Sequence, residues 1–151
     1  MSANAHWTTI LIADDSAEDR NLMKRAFEEA GVSNRLDFVR DGHEVLSFLK
    51  RPEASAGDPP RIPGLILLDL NMPRMDGRET LKLMRSDPEL AFIPVIVLST
   101  SNAREDVLGS YRLGANAVMV KPMGYHEFVD LVSMVCRYWL EHVQLPVQFK
   151  L

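Results

Sequence analysis

The strongest constraint on the fold is a repeated alternation between short apolar runs and longer segments with helical periodicity. Apolar runs lie at residues 10–13, 64–68, 93–98 and 117–120, each with at least one β-branched residue, and residues 36–39 form a further predicted strand that contains Asp37. Runs of this length, bounded by turn residues, indicate buried strands. Strands that are continuously apolar are typical of a parallel sheet covered on both faces. The sequence therefore predicts an α/β fold with five parallel strands and flanking helices.

Capping residues mark the predicted helices between these runs. Ser16, Asp41, Asp76 and Asn102 each precede a segment with apolar residues at helical spacing, and each is a residue type that favours the N-cap. Gly31 follows the first of these segments and is a natural helix stop. The pattern predicts one helix after each of the first four strands.

Composition indicates one soluble domain and excludes several classes of protein. A length of 151 residues fits about one domain, on a prior of roughly 100–200 residues. With 17 basic and 21 acidic residues the net charge is −4, whereas proteins that bind nucleic acid through phosphate contacts are usually basic. Cys136 is the single cysteine, and no apolar run is long enough to cross a bilayer. We expect a cytoplasmic protein with neither a nucleic-acid nor a membrane partner.

Polar side chains follow four of the predicted strands directly. They are Asp14 and Asp15 after the first strand, Asp69 after the third, Ser99 and Thr100 after the fourth, and Lys121 after the fifth. Taken singly, such residues are most often helix caps or turn residues. In an open parallel sheet, however, all of these strand ends lie along one edge, outside which ligands bind. Their shared position predicts a site at that edge.

Clustered carboxylates limit the chemistry of that site. Two like charges about 4 Å apart repel by roughly 4 kcal/mol at an effective dielectric near 20, so they must protonate or bind a cation. Oxygen ligands of this kind suit Mg²⁺, which also binds phosphate oxygens. Lys121 would balance remaining negative charge, and the Ser99 hydroxyl could donate to the same oxygens. These groups are the ones that phosphoryl transfer needs, with a carboxylate as nucleophile.

The order of these residues resembles the receiver domain of two-component response regulators. The matching motifs are Asp14-Asp15, Asp69-Leu70-Asn71-Met72-Pro73-Arg74-Met75-Asp76-Gly77, Ser99 and Lys121-Pro122. The resemblance implies a flavodoxin-like, doubly wound α/β sheet with strand order 2-1-3-4-5 and helices on both faces. We therefore expect a receiver domain over residues 7–142 and a C-terminal extension over 143–151, with no output domain.

The resemblance implies a role for each matched residue. Asp69 is the phosphoacceptor and takes a phosphoryl group from a phosphohistidine on a histidine kinase. Mg²⁺ is bound by Asp15, Asp69 and the main-chain carbonyl of Asn71, with Asp14 acting directly or through water. Lys121 contacts the phosphoryl oxygens. The protein would accordingly be a signalling phosphoacceptor with intrinsic phosphorylation and dephosphorylation chemistry, not an enzyme.

The same resemblance identifies a switch region. Ser99 takes the place of the hydroxyl that moves toward the phosphoryl group, and its neighbour Thr100 is expected to face the other way. Val118 stands where many members carry an aromatic side chain, so the aromatic partner of the switch hydroxyl is missing at this position. The bond before Pro122 resembles one that is cis in the family.

The last predicted helix, from about residue 125 to residue 142, is too apolar to cover only one face of a sheet. A helix in that position needs an apolar stripe only about 100° wide. A homodimer would bury the excess, through the face between the fourth and fifth helices and through the C-terminal extension. Alternatively, residues 145–151 fold back over this helix, or a kinase docks on it. The dimer-face candidates are Tyr125, Phe128, Val132, Val135 and Trp139.

Three further segments resemble one subgroup of the family. They are the loop at 51–63 with four prolines, the string Leu98-Ser99-Thr100-Ser101, and the ending Trp139-Leu140…Leu145-Pro146. They resemble stand-alone response regulators that are paired with phytochrome-type histidine kinases. This implies a bacteriophytochrome as the partner kinase.

Two other functions fit part of the pattern. An Mg²⁺-dependent phosphohydrolase could use Asp69 as its nucleophile, but the acidic pair lies on a different strand and no cap insertion for a substrate is present. A degenerate receiver could serve only as a scaffold, but the acidic set is intact. Incubation with a small phosphodonor separates these functions from the switch.

Overall fold

The structure is a computed structural model, and it describes residues 8–52, 55 and 60–149. Strands and helices alternate throughout: β1 Ile10–Ala13, α1 Ala17–Glu29, β2 Leu36–Val39, α2 Gly42–Leu49, β3 Leu65–Asp69, α3 Gly77–Ser86, β4 Val95–Ser99, α4 Arg104–Arg112, β5 Ala117–Val120 and α5 Tyr125–Cys136. A π-helical turn, Arg137–His142, continues α5, and a 3₁₀ turn, Pro146–Gln148, follows. Residues 1–7, six residues of the proline-rich loop (53–54 and 56–59) and residues 150–151 lie outside the described residues. None of the helices described is long and apolar enough to span a bilayer.

The five strands form one parallel sheet in the order β2-β1-β3-β4-β5. This confirms the predicted doubly wound α/β fold. The strand order reverses between β1 and β3, which are neighbours in the sheet. The C-terminal ends of all five strands therefore share one edge, with the reversal point near its centre.

Alternate residues of each central strand enter two separate apolar layers. On β1, Ile10 and Ile12 pack in the layer that includes α1 and α5, whereas Leu11 and Ala13 pack in the layer that includes α2 and α3. All four residues are at most 1% exposed. Burial on both faces explains why the strand sequences are continuously apolar.

Three of the four predicted N-caps are confirmed. The side chains of Ser16, Asp41 and Asp76 each accept a hydrogen bond from the backbone N–H three residues further on. The prediction for Asn102 is wrong, because α4 begins at residue 104 and its N-cap is Ala103, which has no capping side chain. Ala103 has φ −59° and ψ 140°, an extended conformation that delays the first helical turn.

The long helix predicted at the C-terminus is present, but its apolar surface is mostly internal. Phe128, Val132 and Val135 are at most 2% exposed and pack in the core layer beside α1. Tyr125 and Trp139 are half-buried against the same layer. Three of the five dimer-face candidates are therefore wrong, because α1 lies along α5 and the sheet covers a second side of it.

The C-terminal extension covers a further part of this layer. Leu145 is 2% exposed, and Val143 and Val147 are half-buried against the same core. The contact reaches the start of β3, where a Cβ on Gly64 would stand 3.2 Å from Cδ1 of Leu145. The fold-back alternative for the extension is thus the one the structure shows within its described residues.

We expect Leu145→Ala to lower the free energy of unfolding by about 2–4 kcal/mol, because it leaves a cavity under the extension. Urea denaturation followed by circular dichroism measures this loss. Phe149→Ala is the matched control, since Phe149 lies in the same extension but is 60% exposed; it should cost about 1 kcal/mol or less. Equal losses for the two variants would contradict the docking of the extension.

Candidate functional site

Three of the predicted carboxylates meet at the C-terminal edge of the sheet. Asp14 and Asp15 follow β1, and Asp69 ends β3, the neighbouring strand. One oxygen atom from each of the three carboxylates lies within 4.8 Å of the other two. Asp14 and Asp69 are buried, whereas Asp15 is exposed. The sheet topology thus assembles the acidic cluster where the sequence predicted it.

Backbone N–H groups fix the two buried carboxylates. Oδ1 of Asp14 accepts a hydrogen bond of 2.9 Å from the N–H of Ser16, and Oδ1 of Asp69 accepts one of 3.1 Å from the N–H of Asn71. In both cases the donor lies two residues after the carboxylate. This keeps the main chain at Asn71 next to the Asp69 side chain.

The Lys121 ammonium bridges the acidic edge. Its Nζ lies 2.6 Å from Oδ2 of Asp14, 2.8 Å from Oδ2 of Asp19 and 3.2 Å from Oδ2 of Asp69, and its side chain is only 6% exposed. Burial acts to lower the pKa of Lys121, but these carboxylates outweigh it and hold the pKa well above its ordinary value. Lys121 therefore stays charged at neutral pH.

Burial has the opposite effect on the pKa of the Asp69 carboxyl. It raises the pKa of Asp69 above its ordinary value, and the charge of Lys121 and the hydrogen bond from Asn71 offset this only in part. The nearby charge of Asp14 acts in the same direction as burial. The Asp69 carboxylate is thus more basic than an exposed aspartate, and a cation beside it would favour its charged form.

Asp19 is the residue of this site that sequence reasoning missed. It lies in the first turn of α1, where any carboxylate is favourable, so its residue type alone does not indicate a role in the site. Its distinguishing feature is position: it lies three residues after the N-cap Ser16, on the turn of α1 that starts at the acidic edge. It contacts Lys121 but is not one of the three carboxylates close enough to share a metal ion.

The predicted switch residues lie at the ends of β4 and β5. Ser99 is 1% exposed, and its hydroxyl accepts a hydrogen bond of 3.1 Å from the N–H of Ser101. Thr100 is exposed, in accordance with the expectation that it faces the other way. The N–H of Lys121 donates to the Ser99 carbonyl at 2.7 Å. On β5, Val118 is half-buried.

The expectation of a cis bond before Pro122 is not met, since the described residues contain no cis peptide bond. The trans isomer of a bond to proline is intrinsically favoured by about 0.5–1 kcal/mol. The turn from β5 to α5 accommodates it with Pro122 half-buried and Met123 fully exposed.

An ion pair anchors the loop that follows Asp69. Arg74 in this loop donates from Nε to Oδ2 of Asp41 at 2.7 Å and pairs with the same oxygen through Nη2. The Asp41 side chain is 2% exposed, and the adjacent Gly42 N–H donates to the carbonyl of Met75 at 2.9 Å. Arg74 has φ 65°, in the left-handed region that non-glycine residues rarely adopt. The loop that follows Asp69 is thus held to the start of α2.

A family model describes the chain as a "Response regulator receiver domain" over residues 10–133. The chain belongs to the response regulator receiver family. The matched range contains the acidic cluster, Ser99 and Lys121, so the site described above lies wholly within the receiver domain.

Similar proteins include regulators named for phytochrome or red-light signalling. Response regulator Rcp1 of Synechocystis is 37% identical over 137 residues, or 91% of this chain and 92% of Rcp1. The crystal structure of the Mn²⁺-bound form of Rcp1 has a TM-score of 0.79 at 36% identity, over 92% of this chain and 99% of that one. The phosphorylated cyanobacterial phytochrome response regulator RcpA has a TM-score of 0.81 at 36% identity, over 92% and 98%. RPA3017, a response regulator in red light signalling of R. palustris, has a TM-score of 0.84 at 35% identity, over 92% of this chain and 98% of RPA3017.

The donor set of the site fits a divalent metal ion. Asp14, Asp15 and Asp69 offer only carboxylate oxygens, the ligands that hard cations such as Mg²⁺ and Mn²⁺ prefer. Together with Asp19 they carry four negative charges, whereas the positive charges beside them are those of Lys121 and of Arg20, whose Nη1 donates to the main-chain carbonyl of Asp14 at 2.7 Å. The excess negative charge favours a cation at the exposed end of the cluster, where Asp15 lies.

We expect Arg74→Ala to lower the free energy of unfolding at pH 7 by about 1–2 kcal/mol, because the buried carboxylate of Asp41 loses its cation. Alanine has the same difficulty as arginine with a positive φ, so this change isolates the ion pair. Arg40→Ala is the matched control, because it removes an exposed cation that pairs with Glu44 of α2. The loss of free energy of unfolding should be smaller for this variant. Urea denaturation measures both, and equal losses would contradict the anchoring role.

This loss should depend on pH. Burial acts to raise the pKa of Asp41, but hydrogen bonds from the N–H of Glu44 and from Arg74 outweigh it, so the pKa lies below the ordinary value of 3.8. The stabilisation from the charged form is therefore complete above about pH 4 and is lost as the pH falls through the folded-state pKa. The difference between wild type and Arg74→Ala should shrink below about pH 4.

Proposed function

We propose that the chain is a phosphorylation-controlled signalling switch in which Asp69 accepts a phosphoryl group from a phosphohistidine of a histidine kinase. The observation that carries this proposal is the contact of Lys121 with Asp69, 3.2 Å apart within the acidic cluster. It puts a nucleophilic carboxylate, a permanent positive charge and a set of cation ligands at the same strand edge. Membership of the receiver family supports the same reaction.

The chemistry follows from the positions of these groups. A carboxylate oxygen of Asp69 attacks phosphorus, an O–P bond forms, and the N–P bond to the imidazole breaks with the histidine as leaving group. Lys121 holds its ammonium where it can pair with the phosphoryl oxygens. Asp14, Asp15, Asp69 and the main-chain carbonyl of Asn71 would hold the cation, which we propose to be Mg²⁺. When bound, this ion neutralises charge on the phosphoryl oxygens.

Ser99 is the proposed switch hydroxyl. Its side chain is buried at the end of β4, and its hydroxyl accepts a hydrogen bond of 3.1 Å from the N–H of Ser101. A phosphoryl group on Asp69 would offer charged oxygen atoms, to which this hydroxyl can donate a hydrogen bond. Its movement would displace the loop from β4 to α4, and so change the surface that a partner contacts.

We further propose that the partner kinase is of the phytochrome type and that the chain acts in the cytoplasm. Support comes from the similar proteins, since RcpA is named a phytochrome response regulator and RPA3017 a regulator in red light signalling. Their similarity spans the whole receiver fold and not only its motifs. Phosphotransfer from purified kinases would test this assignment.

Self-association through the surface of α4, β5 and α5 is also part of the proposal. The internal packing of α5 changes which residues could form such a contact. Large apolar side chains that are about half exposed or more remain there: Tyr111, Val120, Met134 and Tyr138. Met134 and Tyr138 are four residues apart on the helix and its π-helical continuation, so they share a face.

Incubation with Mg²⁺ and acetyl phosphate should add one phosphoryl group to the wild type, as measured by intact mass. Asp69→Asn should remain unlabelled, because the amide cannot act as the acceptor. Asp130→Asn, which removes an exposed carboxylate on α5, is the control and should be labelled like the wild type. Turnover of many phosphodonor molecules without labelling would indicate a phosphohydrolase. A wild type that is never labelled would indicate a scaffold, and either result would contradict the switch.

Light scattering during size exclusion tests self-association. We expect a dimer of the wild type and a monomer for Tyr138→Glu, because a charge would be placed in the proposed contact. Leu83→Glu is the control, since Leu83 is 40% exposed on α3, away from this surface, and the variant should stay dimeric. A wild type that is monomeric with and without phosphorylation would contradict this part of the proposal.

A further inference from the structure

We propose that Asp19 is a positioning residue, which keeps the Lys121 ammonium in the site when a divalent cation takes the carboxylates of Asp14 and Asp69. The proposal rests on the metal-dependent function proposed above. It concerns a contact of Lys121 that sequence motifs did not predict. Asp19 contacts neither the cation nor the phosphoryl group in this scheme and acts only through Lys121.

Both carboxylate oxygens of Asp14 and of Asp69 already have partners in the protein. On Asp14 and Asp69, Oδ1 accepts a backbone hydrogen bond and Oδ2 pairs with Lys121. A cation that binds both carboxylates therefore draws on oxygens that Lys121 already uses. Lys121 and the cation compete for Asp14 and Asp69.

Asp19 lies beside Lys121 but apart from the three clustered carboxylates. Its carboxylate lies 2.8 Å from Nζ of Lys121, a shorter contact than the 3.2 Å to Asp69. It is outside the group of carboxylates that are close enough to share a metal ion. Asp19 is thus the only one of the three partners of Lys121 that the cation leaves unchanged.

The main chain is hydrogen-bonded at both residues of this ion pair. The N–H of Asp19 donates to the hydroxyl of Ser16 at the N-cap of α1, and the N–H of Lys121 donates to the carbonyl of Ser99. A carboxylate in the first turn of a helix is also stabilised by the helix dipole. The main chains at both ends of the ion pair are therefore held without the help of the Asp14 and Asp69 side chains.

The consequence is a lower cost of metal binding. A lysine side chain that is 6% exposed cannot lose its counter-charges without a large desolvation penalty. With Asp19 present, Lys121 stays paired with one carboxylate while Asp14 and Asp69 bind the cation. Without Asp19, Lys121 would hold those two carboxylates more firmly against the cation.

Isothermal titration calorimetry of Mn²⁺ into the full-length protein tests the role of Asp19. We expect Asp19→Asn to weaken Mn²⁺ binding roughly tenfold, the lower limit typical of residues that support metal ligands. Glu18→Gln is the matched control, because it removes the same charge from an exposed side chain in the same helical turn. It should weaken binding by about threefold or less, since solvent screens an exposed charge. Equal effects of the two variants would overturn the proposal.

A double-mutant cycle separates positioning from simple attraction. In a Lys121→Met background there is no ammonium to hold, so Asp19→Asn should lose most of its effect on Mn²⁺ affinity. A tenfold effect that persists in this background would overturn the proposal, because Asp19 would then act on the cation itself. Asp19→Ser, which also removes the charge and suits a first helical turn, should reproduce the result, and thermal unfolding by circular dichroism checks that each variant is folded.

The same experiment distinguishes this proposal from the proposed function. Calorimetry uses Mn²⁺ without a phosphodonor, so it reports on Asp19 and Lys121 whether or not Asp69 is ever phosphorylated. A failure of Asp69 to accept a phosphoryl group would overturn the proposed function and leave the cycle interpretable. A cycle without coupling would overturn the role of Asp19 and leave phosphorylation intact.

Discussion

The contact of one buried ammonium with three carboxylates connects the elements of this site. Lys121 joins the ends of β1, β3 and β5 to the first turn of α1, through Asp14, Asp69 and Asp19. The carboxylates would repel one another without it, and the buried ammonium could not stay charged without them. The four carboxylates of the edge still outnumber the positively charged side chains beside them, so a further cation is needed to neutralise their charge. Electrostatics thus links the fold of the sheet edge to its affinity for metal.

The sheet and most of this edge could be predicted because their signals are local. A strand buried on both faces must be apolar at every position, as in the run from Ile10 to Ala13, and parallel strands bring their ends to one edge. Asp19 has no such signal. An acidic residue in a first helical turn is fully explained by the helix itself, and its contact with Lys121 exists only once α1 packs against the sheet. Asn102 is the converse case, a good N-cap type that the following turn does not use.

The C-terminal helix shows a different limit of sequence reasoning. Periodicity reveals how much of a helix is apolar, but not which neighbour covers it. Val132 and Val135 could equally have faced a second copy of the chain, and in the structure they face the core beside α1. Leu145 supplies further cover from the extension. Intramolecular packing therefore accounts for most of the excess, and the apolar side chains that remain exposed are at other positions, such as Met134 and Tyr138.

α4 is the most weakly packed of the five α-helices in the described part of the chain. α4 follows the Ser99 end of β4, has no capping side chain, and has only Ser110 as a buried residue, whereas α1, α2, α3 and α5 each bury at least three. An element with few buried contacts needs little free energy to shift. α4 also holds the edge of the sheet, because the hydroxyl of Tyr111 accepts a hydrogen bond from the N–H of Val118 at 3.2 Å. This hydrogen bond links α4 to the edge strand β5 even though position 118 itself lacks an aromatic side chain.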